Sequence, residues 1–84
     1  MKINIICSRQ NELSVTDANI LIFLFKKIKH KIEPIFVHIN SFKCEYASIN
    51  IFIGAINPIL TGYAKTNILL FDGSIFPKAN TYLL

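Results

Sequence analysis

Residues 3–39 decide the fold class, because two short apolar runs flank one long amphipathic segment: INIIC (3–7), VTDANILIFLFKKIK (15–29) and IFVHI (35–39). β-branched and aromatic residues dominate both short runs, which is typical of strands. Apolar residues in the long segment recur at intervals of three and four, which is typical of a helix. A strand, a helix and a second strand in this order predict a βαβ unit with a right-handed crossover.

The helix is predicted to run from about residue 15 to residue 29, with Ser14 as its N-cap. Asp17 falls in the predicted first turn, and lysines fall in the last turn, as the helix dipole favours. Ile20, Phe23 and Leu24 make the apolar stripe wider than one sheet contact needs. This width predicts a second neighbour for the helix, either within the chain or on a partner.

Residues 49–53 and 67–71 form two further strand-like runs that are apolar almost throughout. Continuous apolarity indicates strands covered on both faces, as in a parallel sheet between helical layers. We therefore expect an α/β fold with a mainly parallel, four-stranded, Rossmann-like sheet in the order 3-2-1-4 and helices on its faces. Residues 40–48 are expected to form an irregular loop, and residues 54–66 to contain a short helix capped by Asn57. The 84 residues are interpreted as one such domain or as the N-terminal part of a larger, truncated one.

Composition narrows the classes of function. Apolar residues make up 52% of the chain and charged residues 17%, which excludes the polar signature of disorder and predicts surplus apolar surface. The net charge is +4, but Arg9 is the only arginine, so no nucleic-acid partner is expected. The longest apolar run, residues 20–25, is too short to span a bilayer. Only two cysteines and no secretory leader predict a cytoplasmic protein.

Candidate binding residues follow the predicted carboxyl ends of the strands, where α/β sheets bind ligands. The loop after the first strand has no glycine, so a dinucleotide-binding fingerprint is absent. No Cys-x-x-Cys or His-x-x-x-His pair occurs, and neither a metal nor a cofactor is expected. The candidate substrate-binding residues are Arg9, Gln10, Asn11, Asn57, Asp72 and Ser74.

The order of segments resembles the amino-terminal region of a glycosyltransferase with two Rossmann-like domains. The resemblance is carried by residues 1–6, by 13–15 leading into the helix, by 49–53 with 56–57, and by 63–70 closing on Phe76. It implies that this chain receives the sugar acceptor and that a C-terminal domain, absent from the 84 residues, binds the nucleotide-sugar donor. The isolated chain is then expected to be inactive, because catalysis by positioning requires both walls of the cleft.

Two other interpretations stay open. The wide apolar helix face suits a non-catalytic α/β interaction module that docks on a partner protein or on a second copy. A small phosphate or nucleotide binder is a weaker alternative. Lysines near the helix end, at positions 26, 27, 29 and 31, are interpreted as a solvated face.

Overall fold

Four short apolar runs become the strands of one sheet in the computed structural model, which describes residues 1–28 and 31–71. One α-helix and one 3-10 helix, η1, connect them. The elements in chain order are β1 Lys2–Cys7, α1 Glu12–Lys27, β2 Glu33–His38, β3 Ala47–Ile53, η1 Pro58–Tyr63 and β4 Ala64–Leu70. Each predicted strand is present, with bounds that match the predicted ones or differ from them by at most three residues.

All neighbouring strands are parallel, which confirms the expected parallel α/β class. The expected order 3-2-1-4 is wrong, because the sheet has the order β2-β1-β3-β4. β1 is central, and its residues from Ile3 to Cys7 are all buried. β2 carries Glu33 and Pro34, which suit an edge and not the interior position that the expected order gave it.

The two faces of the sheet have different covers. On one face, Ile5 and Ile51 pack with Ala18 of α1. On the opposite face, Ile6 and Phe52 pack with Leu60 of η1. Each fully buried Ile or Phe side chain stabilises the fold by about 1.5–3 kcal/mol. The sheet is therefore covered from both sides, as the continuous apolarity of its strands predicts.

The chain winds in two directions from the centre of the sheet. The crossover through α1 carries it from β1 to β2, and the later connections carry it to β3 and β4 on the other side of β1. Because α1 and η1 lie on opposite faces, both halves are compatible with right-handed crossovers. The direction reverses between β1 and β3, which makes their carboxyl ends a topological switch point.

The predicted start of α1 is wrong by three residues. Asn11 is the N-cap, and its Oδ1 accepts hydrogen bonds from the backbone N–H groups of Leu13 at 3.1 Å and Ser14 at 3.2 Å. Ser14, the expected cap, is instead a residue of the helix itself, and both Ser14 and Asp17 are buried. Asn and Ser are nearly equal as caps, so the choice depended on which residue could be buried against the sheet.

At its other end, α1 stops at Lys27, and Lys29 lies outside the described residues. The helix has 16 residues. No helix in the described part of the chain combines bilayer-spanning length with sufficient apolarity.

The short helix after β3 was predicted correctly. Asn57 caps η1 by accepting from the backbone N–H of Ile59 at 3.0 Å, and Pro58 occupies the first helical position. The loop between β2 and β3 is irregular, as expected. β4 begins at Ala64, three residues before the predicted start, because η1 ends directly at the strand.

Candidate functional site

Two loops meet at the carboxyl edge of the sheet, on either side of the switch point. Residues 8–11 follow β1, and residues 54–57 follow its neighbour β3. Parallel strands bring these loops to the same edge. Gly54 has a φ of 88°, a backbone conformation that side-chain-bearing residues rarely adopt, so the chain can turn sharply as it leaves β3.

Asn11 and Asn57, two of the candidate binding residues, hold local structure at this edge. Asn11 caps α1, as described above. The Nδ2 of Asn57 donates to the carbonyl oxygens of Ile39 at 2.8 Å and Ser41 at 3.2 Å, while its Oδ1 caps η1. Both hydrogens of the Asn57 amide are therefore engaged in joining the turn after β2 to the turn after β3.

Arg9 and Gln10 lie in the exposed part of the loop after β1. The Arg9 guanidinium is 5.3 Å from the ring centroid of Phe36, a cation–π distance. The Phe36 side chain packs on the face of the sheet that α1 covers. The Asn57 side chain instead bonds the turn after β2. Asp72 and Ser74 lie outside the described residues. A role for the six candidate residues in substrate binding stays a prediction.

The side chains of Cys7, Cys44 and His38 lie in surroundings typical of structural residues, not of a reactive site. Cys7 is fully buried and Cys44 is partly buried, and the two are not joined in a disulfide. Burial, and then the negative charge of Glu45, raise the pKa of the Cys44 thiol, which disfavours the nucleophilic thiolate. His38 accepts a hydrogen bond from the backbone N–H of Asn40 at its Nδ1, at 3.1 Å. Residues 1–28 and 31–71 contain no group of three or more potential metal ligands.

A row of three asparagines crosses the η1 face of the sheet. Asn4, Asn50 and Asn67 occupy the same register on β1, β3 and β4. Asn4 Nδ2 donates to Asn50 Oδ1 at 2.9 Å, and Asn50 Nδ2 donates to Asn67 Oδ1 at 3.0 Å. We call these three residues the asparagine row.

The asparagine row also binds the loops that cover it. Asn50 Nδ2 donates to the carbonyl oxygen of Leu60 at 2.9 Å, and Asn67 Nδ2 donates to that of Thr61 at 3.1 Å. At the other end, Asn4 Nδ2 donates to the carbonyl oxygen of Glu45 at 2.9 Å. Asn4 Oδ1 is buried without a hydrogen-bond partner in the described part of the chain, at a cost of about 1–3 kcal/mol.

The asparagine row was not predicted from the sequence, although a local signal was present. Residues 3–5, 49–51 and 66–68 read INI, INI and TNI, so each strand has an asparagine between two β-branched residues. Such a repeat predicts a polar row only if the three strands are adjacent and in matching register. The expected order placed the second strand, with an isoleucine at this position, between them.

The carboxyl-terminal half of α1 and the residue that follows it carry large apolar side chains that are exposed. Phe23 is 58% exposed, Leu24 44% and Ile28 42%. Two exposed lysines border these side chains, and the Nζ of Lys27 lies 5.0 Å from the Phe23 ring centroid. We call Phe23, Leu24, Ile28, Lys26 and Lys27 the α1 patch.

Comparison of the chain with protein-family models, with curated proteins and with solved structures finds no match. Its function must therefore be inferred from its own geometry, in which the α1 patch and the carboxyl edge of the sheet are the two candidate sites.

Proposed function

We propose that this chain is a non-catalytic α/β interaction module that docks on a partner protein through the α1 patch. The observation that carries the proposal is the exposure of Phe23, Leu24 and Ile28 beside one another at one end of α1. Exposed apolar side chains are common singly, but a contiguous group rimmed by polar residues marks contact sites. Phe23, the largest of the three side chains, is aromatic, a type of residue enriched at the cores of protein interfaces.

The charges of the α1 patch favour a particular partner chemistry. Lys26 and Lys27 are exposed in the last turn of α1, next to its apolar side chains. A basic rim around an apolar centre complements an apolar surface bordered by aspartate or glutamate. Rim charges act mainly on the association rate, so binding should weaken as ionic strength rises.

Affinity capture with matched variants tests the proposal. The baits are the wild-type chain, the double variant Phe23→Ser/Leu24→Ser, and Leu13→Ser, which removes a comparably exposed leucine (47%) from the opposite end of α1. We expect a polypeptide that binds the wild type and Leu13→Ser equally and binds the double variant at least about tenfold more weakly.

A direct titration of the purified partner supplies the second criterion. Its affinity should fall with added salt, and Lys26→Gln/Lys27→Gln should reduce that salt dependence. The proposal is wrong if every captured polypeptide binds the double variant as well as it binds the wild type, or if binding is independent of salt and of both lysines.

The switch point supports a second candidate function, the acceptor-binding part of a glycosyltransferase-like protein. Arg9 and Gln10 are exposed beside the β1–β3 junction, where doubly wound sheets bind ligands. In this proposal they orient sugar hydroxyls together with the other residues predicted from sequence, of which Asp72 and Ser74 lie outside the described residues. The nucleotide-sugar donor would bind a further domain, so the isolated chain would not turn over.

Chemical-shift mapping with sugars distinguishes the second candidate from the first. Titration with mono- and oligosaccharides should shift the amide signals of residues 8–11 and 54–57, and Arg9→Ala should abolish the shifts. A nucleotide sugar should cause no shift there. Absence of any saccharide-dependent shift, or shifts confined to α1, would exclude acceptor binding by this edge.

A further inference from the structure

The two edges of the sheet differ in their capacity to accept another strand. In a parallel strand, alternate residues direct their backbone N–H and C=O groups to opposite sides. The backbone N–H groups of Glu33 and Ile39 donate to β1, so Pro34, Phe36 and His38 face outward from β2. Pro34 has no N–H, and the carbonyl of His38 accepts from Ser41 at 3.0 Å. The outer edge of β2 is therefore blocked at both ends.

The outer edge of β4 has no comparable block. The carbonyl of Leu70 accepts from Gly54 at 2.7 Å, so Leu70 faces β3, and Lys65, Asn67 and Leu69 face outward by alternation. None of the three is proline or glycine, and no strand among residues 1–28 and 31–71 pairs with this edge. All residues from 65 to 69 are exposed. An unprotected edge of this kind is a template for pairing with another strand.

We propose that the outer edge of β4 pairs with β4 of a second copy, antiparallel about a twofold axis at Asn67, to form a continuous eight-stranded sheet. β4 has seven residues, Ala64–Leu70, and only this register overlaps the whole strand with itself. Asn67 then faces Asn67 of the second copy, and Lys65 faces Leu69. Each outward N–H and C=O group acquires a partner.

The asparagine row supplies an independent reason for a second copy. Asn67 accepts one hydrogen bond from Asn50 and donates one to Thr61. An amide has two donor hydrogens and two acceptor lone pairs, so Asn67 retains one of each at the edge. Asn67 of the second copy has the same remaining donor hydrogen and acceptor lone pair, so the two side chains can bond to each other. The two rows would then join into one row of six asparagines that crosses the dimer.

The charge on the edge permits this pairing despite the net charge of +4 on each chain. Lys65 is the only charged residue of β4. Antiparallel pairing about Asn67 separates the two Lys65 positions by four residues, about 13 Å. This separation exceeds the Debye length of about 8 Å at physiological ionic strength, so the two lysines repel only weakly.

The contact has the size expected of a modest dimer. The paired strands run for about 23 Å. Apolar side chains flank the edge on both faces, with Ile68 38% exposed, Leu69 37% and Phe71, directly after the strand, 70%. We expect roughly 600 Å² to be buried on each copy, at the lower end of specific interfaces.

Sedimentation equilibrium of the full chain from micromolar to millimolar concentration tests the association. We expect a monomer–dimer equilibrium for the wild type. Leu69→Pro removes an outward N–H without removing a bond to β3, as Pro34 does on β2, and should weaken association at least about tenfold. Phe23→Ser/Leu24→Ser should dimerise like the wild type. A wild type that stays monomeric throughout, or a dimer that survives Leu69→Pro but not the α1 double variant, overturns the proposal.

Cysteine cross-linking tests the register and remains decisive if Leu69→Pro does not fold. In the Cys44→Ser background, Thr66→Cys in one copy faces Ile68→Cys in the other, as a non-hydrogen-bonded pair with Cα atoms about 4.5 Å apart. This distance allows a disulfide, whereas two Thr66→Cys copies lie about 8 Å apart and do not. We expect cross-linked dimers from the mixture of the two variants and none from either variant alone. Cross-linking by Ile68→Cys alone, or none in the mixture, overturns the register.

Discussion

The two halves of the sheet on either side of β1 are held by different means. The β2 half has a helix packed on it and an outer edge blocked by Pro34 and by the bonded carbonyl of His38. The β4 half has the asparagine row and η1 on one face, and its outer edge pairs with no strand in the described part of the chain. One half therefore depends mainly on apolar packing, while the other also depends on a row of side-chain hydrogen bonds that is buried at Asn4 and Asn50.

This difference shows that protection of a sheet edge against further pairing is separable from the stability of the strand that forms the edge. β2 is an edge by virtue of its sequence, since Glu33 and Pro34 disfavour an interior position. β4 is paired with its neighbour at Ala64 and from Thr66 to Leu70, yet its outer edge has neither a proline nor a bonded carbonyl among the described residues. The surface exposed at β4 is consistent with our proposal that a second copy completes that side.

Removal of the Asn50 side chain, at the centre of the asparagine row, should have the largest effect on stability. Asn50 is fully buried and bonds to Asn4, Leu60 and Asn67. We expect Asn50→Ala to reduce the free energy of unfolding by about 3 kcal/mol, because buried partners lose their hydrogen bonds and a cavity forms. Chemical denaturation measures the loss, and hydrogen exchange should show β4 amides opening before those of β2.

Asn19→Ala is the matched control for that prediction, because Asn19 is exposed on α1. Its effect should stay within about 0.5 kcal/mol. Equal losses for the two variants, or earlier exchange in β2 than in β4, would contradict a polar attachment specific to the β4 half.

Removing the cap of α1 should weaken the other half by a smaller amount. Asn11→Ala leaves the first-turn N–H groups of Leu13 and Ser14 without their acceptor. We expect a loss of about 1 kcal/mol in the free energy of unfolding and faster amide exchange at the start of α1. Asn11→Ser retains a capping oxygen and should recover most of the loss. A loss as large in Asn11→Ser as in Asn11→Ala would show that capping is not its source.

Opening the blocked edge should change assembly more than stability. Pro34→Thr restores an outward N–H on β2 while keeping a residue suited to strands. We expect a stability change below about 1 kcal/mol and, because each copy then has two open edges, species larger than a dimer in sedimentation velocity. Combining it with Leu69→Pro should return the protein to dimers or monomers. An unchanged size distribution would show that Pro34 does not protect the edge.

Raising the pH into the alkaline range should produce the smallest effect on stability, through Cys44 on the η1 face. Burial and the Glu45 charge raise the pKa of Cys44 above its ordinary value of 9.0. Because the folded state favours the protonated thiol, its contribution to stability is fully present below about pH 9 and declines as pH rises through the raised folded-state pKa. Wild type and Cys44→Ala should therefore differ in the pH dependence of unfolding only above that pH. Divergence between pH 6 and pH 8 would contradict the direction of the shift.

Much of the fold could be predicted from local sequence because its signals are local. Continuous apolarity in residues 3–7 and 49–53 predicted strands covered on both faces, and the structure buries them. Asn57 with Pro58 predicted the start of η1. The start of α1 was missed because Asn11 and Ser14 are both good caps, and only packing against the sheet selects between them.

The candidate site was less predictable. Sequence position placed Arg9, Asn11 and Asn57 at strand ends and predicted Asn57 as a cap, but it gave no indication that Asn11 would cap α1 or that the Asn57 amide would bond the turn after β2. It also identified the wide apolar face of α1, and Phe23 and Leu24 are indeed exposed. Side-chain exposure, and the choice between two nearby capping residues, depend on packing against residues distant in sequence, which a local pattern does not reveal.

The sequence by itself determined the parallel α/β class, the two strand-forming halves and the helix between β1 and β2, because hydrophobic period and β-branching act within a few residues. Only the tertiary structure decided the order β2-β1-β3-β4, and with it the alignment of Asn4, Asn50 and Asn67 and the contrast between a blocked and an open edge. Strand order is set by the combined burial of all strands, and a buried amide is tolerated only where its neighbour in space presents a partner.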